Sequence, residues 1–186
     1  MTHAEPLVLP TPDDVAQLSE VLIACVTDSA SVGWVAPPGP DAAAAWWNAF
    51  LADASTRTWV ARDEAGRVVG TASLVLAGQE NGLHRAEVVK VLVHPRARRR
   101  GLARALLGAV EDGARAAGRS LLVLDTNEGS DAERLYVRSG YQRVGAIPDF
   151  SVQTDGTLHA TVVYYRRVGT GQGEVRPQGD RIHSES

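Results

Sequence analysis

Arg98, Gly101 and Ala103 fall at the junction of a strand and a helix, a place where backbone amides can hold an anion. The run reads Val91-Leu92-Val93-His94-Pro95-Arg96-Ala97-Arg98-Arg99-Arg100-Gly101-Leu102-Ala103-Arg104. A valine-rich strand ends at Pro95, a basic loop follows, and a helix opens at a glycine. The first helical turn leaves several N–H groups without internal partners, and the helix dipole adds partial positive charge there. Such a site suits a phosphate or pyrophosphate. Gly101 and Ala103 keep bulky side chains away from it, while Arg98, Arg99, Arg100 and Arg104 add attraction. A P-loop lysine pattern is absent. The competing reading is a solvated basic loop that touches nucleic acid; the strand-to-helix context disfavours it.

Two carboxylates stand out nearby. Glu87 interrupts a mostly apolar strand, where alternation puts it on one face with Val89, Val91 and Val93. A carboxylate there is costly unless it is paired or faces a wet cleft. It reads as a general base or water relay, or as an ion-pair partner of Arg85 or Lys90. Asp125 ends a short apolar strand and reads as a second candidate for general-base work, or as an acid capping the following loop. His84 and His159 have no partners at metal-ligating spacing, and no metal is assigned.

The elements that must position these residues alternate in period. A short strand is expected at Leu7 to Leu9 after a loose start at residues 1 to 6. Thr11-Pro12-Asp13-Asp14 reads as a helix entry, with Val15, Leu18, Leu22 and Val26 buried at helical spacing. A loop with three prolines follows at Ser31 to Pro40, then a second helix from Asp41 to about Ala52. Thr58 to Arg62 and Arg67 to Leu76 form a hairpin through Asp63-Glu64-Ala65-Gly66. Gly78 to Gly82 is a turn, and Arg85 to His94 is the next strand. Gly101 to Ala117 is helical, and Ser120 to Thr126 is a strand covered on both faces. Ser130-Asp131-Ala132-Glu133 has the form of a capping box for a helix that stops at Gly140. Tyr141 to Ile147 and Leu158 to Arg167 are the last strands. One domain over residues 1–168 and a flexible tail over 169–186 are expected.

Composition narrows the function classes. The chain has 186 residues, 44% hydrophobic and 22% charged, which is globular composition. Cys25 is the sole cysteine, which excludes an internal disulfide framework and multi-cysteine zinc sites and favours a reduced, cytoplasmic setting. A net charge of −3 disfavours a dedicated nucleic-acid binder. Neither a signal peptide nor a membrane span is read from the sequence. Lys90 is the sole lysine among 19 basic residues.

The Arg98-x-x-Gly101-x-Ala103 spacing resembles the Q/R-x-x-G-x-G/A signature of the GCN5-related N-acetyltransferase (GNAT) superfamily. Ala103 stands where a second glycine is commoner. Ala132-Glu133-Arg134-Leu135-Tyr136 followed by Gly140-Tyr141-Gln142-Arg143-Val144-Gly145 resembles a second family segment, and the likeness spans residues 7 to 168. Within the superfamily, four further stretches resemble the tabtoxin-resistance acetyltransferases, which acetylate the free amine of a small amino-acid-like β-lactam. These are Ser31-Val32-Gly33-Trp34, Asn81-Gly82-Leu83-His84-Arg85-Ala86-Glu87-Val88, Leu124-Asp125-Thr126 with Gly129-Ser130, and Asp155-Gly156-Thr157-Leu158-His159.

The resemblance implies an α/β fold, a mixed, mostly antiparallel sheet of about seven strands flanked by about four helices. It implies a splay between the strands at 85–94 and 120–126. It also implies acetyl-coenzyme A as co-substrate, its pyrophosphate on residues 98–104 and its pantetheine arm along Leu92 and Val93. Tyr136 stands where the family places a general acid beside the coenzyme sulfur; a packed core tyrosine is the alternative. Asn127 is a candidate for the pantetheine amides or for a turn, and Trp34 for the acceptor wall or for a core plug. Trp46, Trp47 and Trp59 read as core or interface. The expected acceptor is a small-molecule amine attacked directly in a ternary complex, with a peptide acetyltransferase and a non-catalytic acyl-CoA-binding module as alternatives. Neither nucleic acid nor membrane is an expected partner, and the chain is a monomer or a homodimer.

Overall fold

The computed structural model describes residues 4–30, 32–153 and 155–169. The expected tail lies, from residue 170 onward, outside the described residues, as does Ser31. Seven strands run β1 Ala4–Pro6, β2 Thr56–Arg62, β3 Val68–Leu76, β4 Arg85–Val93, β5 Leu121–Asn127, β6 Gln142–Val152 and β7 Leu158–Arg167. Four helices run α1 Pro12–Thr27, α2 Pro40–Ala52, α3 Leu102–Ala116 and α4 Asp131–Arg138. The single sheet has the order β1-β2-β3-β4-β5-β7-β6. Every neighbouring pair is antiparallel except β4–β5.

The entry to α1 is fixed locally. Thr11 Oγ1 accepts the Asp14 N–H at 3.1 Å, and Asp14 Oδ2 accepts the Thr11 N–H at 2.9 Å, a reciprocal cap ahead of Pro12. Val15, Leu18, Leu22 and Val26 are all buried, and with Trp47 of α2 they fill one face of the sheet. The expected strand at Leu7–Leu9 is displaced. Ala4–Pro6 pairs with β2 instead, and Val8 and Leu9 are exposed because the chain leaves the sheet to enter α1.

The other face is covered by α3 and α4. Leu106, Leu107 and Val110 of α3 pack on Ala72 and Leu74 of β3 and on Trp59 of β2. Gly113 lets that indole lie against the helix: a Cβ there would stand 2.1 Å from Trp59 Cζ2. Gly113→Ala should therefore destabilise the fold despite alanine's better helix propensity. Overpacking costs about 1–3 kcal/mol against roughly 1 kcal/mol gained. A melting temperature lowered by a few degrees is the expected result, and an unchanged or raised one contradicts this packing.

Helix α4 departs from its expected cap. Ser130 is the N-cap residue, but its side chain makes no capping hydrogen bond. Glu133 reaches past it, accepting the Gly129 N–H at 2.6 Å and the Tyr164 hydroxyl at 2.5 Å. Strand β6 is longer than expected because two register shifts carry it from Gln142 to Val152.

Two features of β4 position the site. First, β4 and β5 pair only over Arg85–Glu87 with Leu121–Val123. Beyond that they part, and the backbone edges of Val88–Val93 and Leu124–Asn127 face a gap. Second, the register of β3 with β4 shifts between Thr71 and Ser73, and Lys90 has φ +53°. This bulge reverses the alternation expected for the strand. Ala86 and Val88 face the α3 side before it, Val91 and Val93 face that side after it, and Leu92 packs with α1 and α2. Glu87 and Val89 thus do not share a face with Val91 and Val93.

Candidate active site

The gap between β4 and β5 widens into a cleft of about 1640 Å³, which reaches from the loop before α3 to the segment joining α1 and α2. At one end, Gly101 caps α3 in the left-handed region with φ +77°, and no atom lies within 4 Å of where its Cβ would be. Among the described residues, no side-chain cap bonds to the start of this helix. Leu102 is buried and anchors the helix, while Ala103 and Arg104 line the cleft. The pattern Arg98-x-x-Gly101-x-Ala103 therefore surrounds an open cradle of donors suited to a pyrophosphate.

The arginines divide. Arg98 turns back: its guanidinium pairs with Asp28 at the end of α1, and its Nε donates to the Val93 carbonyl at 3.3 Å. This clamp fixes the loop against α1 and leaves Arg99 and Arg104, both cleft-lining, to meet an anion. Arg99 adopts φ +62°, a left-handed conformation uncommon for a side-chain-bearing residue. Arg100 is exposed beside them.

The other end of the cleft is acidic and aromatic. Glu87 and Asp125 both line it. Burial raises the Glu87 carboxyl above the ordinary carboxylate range and the Asp125 charge raises it further, with Lys90 and Arg85 opposing. Thr161, a buried neighbour on β7, holds Asp125 through an Oγ1–Oδ2 hydrogen bond of 2.8 Å. Tyr136, 6% exposed, lines the cleft from α4 and meets Tyr141 edge-on at 5.8 Å. Burial, and secondarily the Asp125 charge, hold its phenol above the usual value, so it is protonated at neutral pH.

Asn127 is engaged within the fold: its Nδ2 donates to Gln153 and its Oδ1 accepts from Ser151, each at 3.3 Å. Trp34 is half-buried and lines the cleft beside Val32 and Gly33. Leu92 and Val93 lie on the β4 edge that faces the gap, although Leu92's side chain is buried under α1. Trp47 and Trp59 are core. Trp46 is half-buried, stacked on Phe50 at 4.8 Å.

An open helix N-terminus, a parted strand pair, a buried phenol and two carboxylates line one cleft. Residues 20–141 match the acetyltransferase (GNAT) family. The chain belongs to that family. An N-acetyltransferase of the hisH–hisA intergenic region of Azospirillum brasilense, itself uncharacterised, is 35% identical over 117 residues, or 62% of this chain and 69% of that one. A GNAT superfamily phosphinothricin acetyltransferase of Sinorhizobium meliloti, solved with acetyl-CoA, is 18% identical. It superposes at a TM-score of 0.78 over 97% of this chain and 96% of its own. A Salmonella typhimurium protein solved with its cofactor acetyl-CoA is 22% identical, with a TM-score of 0.75 over 91% and 95%. At these identities the solved structures establish the GNAT fold. They do not carry over a substrate.

Sequence reasoning missed Asp28 as the partner of Arg98, Thr161 as the support of Asp125, and Phe150 on the cleft wall. Each is brought in from a distant element, and none carries a local pattern. Among the described residues no cluster of three metal-ligating side chains occurs.

Proposed function

We propose that this GNAT protein is an acetyl-CoA-dependent N-acetyltransferase that acts on the amine of a small, amino-acid-like molecule such as a toxin or antibiotic. The observation that carries the reading is the cleft itself, with an anion cradle at one end and paired carboxylates at the other. The amides beginning at Gly101, with Arg99, Arg100 and Arg104, bind the pyrophosphate, and the freed edge at Leu92 and Val93 receives the pantetheine amides as an added strand would. Asn127, already bonded to Gln153 and Ser151, flanks that arm. Acetyl-CoA supplies an activated acyl group: the amine nitrogen bonds to the acyl carbon, the carbon–sulfur bond breaks, and the coenzyme leaves as a thiol.

Glu87 and Asp125 take the amine's proton, directly or through water, and Trp34 covers the acceptor. Tyr136 donates to the departing sulfur. The same burial that raises the phenol also raises the proton affinity of a thiolate beside it, which keeps the two matched. One domain over residues 1–168 is sufficient for this chemistry.

The pH profile tests the base. A carboxylate acting as base loses its proton as pH rises, so kcat/KM climbs through its pKa. Asp125 raises the Glu87 pKa, so Asp125→Asn should move the acid limb to lower pH, Glu87→Gln should alter it, and the double variant should remove it. Profiles identical to the parent's in both single variants and the double would clear both residues. The acceptor class is tested by thioester consumption against amino acids, amine antibiotics and peptides. Turnover confined to small zwitterionic amines is the expected pattern, and turnover confined to peptides contradicts it.

A further inference from the structure

Lys90 occupies a conformation that needs a reason. A left-handed backbone costs a side-chain-bearing residue roughly 1–2 kcal/mol, and the bulge at Lys90 gives up ladder pairing as well. That backbone sets the direction of its side chain. Lys90 Nζ donates to the Val32 carbonyl at 2.8 Å and lies 4.9 Å from the centre of the Trp46 ring. A Cβ on Gly33, itself at φ +89°, would stand 3.7 Å from the same ammonium, so the backbone of this segment passes close over it.

Val32 and Gly33 belong to the connection between α1 and α2, which also carries Trp34 and lines the cleft. Among the described residues, no backbone–backbone hydrogen bond ties residues 32–38 to the rest of the fold; such bonds stop at Ala30 and resume at Gly39. Among the described residues, the Lys90–Val32 bond is the hydrogen bond that joins this segment to the sheet. The charges that act on the ammonium are Asp125 of β5 and Glu87 of its own strand.

We propose that Lys90 is a positioning residue, a latch that holds the wall formed by residues 32–38 and Trp34 against β4 and α2. The inference rests on the reading of this end of the cleft as the acceptor side. A charge-assisted hydrogen bond and a partly desolvated cation–π contact act together on one side chain, and losing both frees the wall without touching the anion cradle.

The full chain labelled with 5-fluorotryptophan gives four fluorine resonances, assigned by single Trp→Phe variants. In Lys90→Met the resonances of Trp34 and Trp46 should shift and broaden, while that of Trp59, on the other face of the sheet, stays in place. Lys90→Arg should restore the parent spectrum because it keeps the donor and the cation. Acetyl-CoA affinity by calorimetry should stay within about twofold, a change below RT in free energy. The latch is overturned if the Trp34 resonance of Lys90→Met coincides with the parent's. It is equally overturned if all four resonances move together, since Lys90 would then support the core. A parent protein that fails to bind acetyl-CoA removes the proposed function, while the fluorine spectra still decide the latch.

Discussion

Gly101→Glu should remove measurable acetyl-CoA binding from a protein that still folds. The position tolerates a side chain sterically, because no atom lies within 4 Å of the Cβ direction. Its left-handed backbone, φ +77°, costs any L-residue roughly 1–2 kcal/mol, a fraction of a typical domain stability of about 5–15 kcal/mol. A carboxylate beside a pyrophosphate costs more: two like charges at about 4 Å repel by about 4 kcal/mol at a surface-like dielectric. That is about a thousandfold in affinity. Gly101→Ala separates the two effects, since it carries the backbone strain without the charge and should weaken binding no more than about tenfold. Calorimetric titration with circular dichroism as the folding control checks both. An unchanged dissociation constant in Gly101→Glu would rule out the anion cradle.

Tyr136→Phe should lower kcat by about 10²–10⁴, the usual contribution of a positioned proton donor, with acetyl-CoA affinity unchanged. The substitution keeps the ring that packs edge-on against Tyr141 at 5.8 Å and tilted against Tyr164 at 6.2 Å, so the core around α4 stays filled. Only the hydroxyl goes. A purely structural tyrosine gives the opposite pattern, with turnover intact and any loss confined to the melting temperature. Steady-state kinetics beside a thermal melt distinguishes the two.

Much of the fold was readable because its signals are local. The Thr11–Asp14 cap, the apolar stripe of α1, the turn at Asp63–Gly66 and the glycine that opens α3 each depend on neighbours within a few residues. What escaped depends on contacts far apart in sequence. The bulge at Lys90 shows only in the pairing with β3, and its side chain meets a carbonyl at Val32, 58 residues away, so strict alternation misassigned the faces beyond it. Glu133 abandons the local capping box because the Tyr164 hydroxyl, 31 residues on, offers a second partner beside the Gly129 amide.

The candidate site divides the same way. The phosphate loop was legible as a spacing, and Glu87 as a charge in an apolar strand. The signature arginine was not legible as a clamp: Arg98 turns to Asp28 and the Val93 carbonyl, so its contribution is the shape of the loop, while Arg99 and Arg104 line the cleft. Asp125 was visible as a strand-end acid, but its orientation comes from Thr161, two strands later on β7.

A crystal structure of the protein with acetyl-CoA tests the central claim most directly. Pyrophosphate oxygens should lie within hydrogen-bond distance of the amides at the start of α3. The thioester should sit in the gap between β4 and β5, with Tyr136 on one side and Glu87 and Asp125 on the other. A coenzyme bound elsewhere, with Gly101 turned away from it and the two strands closed on each other, would contradict it.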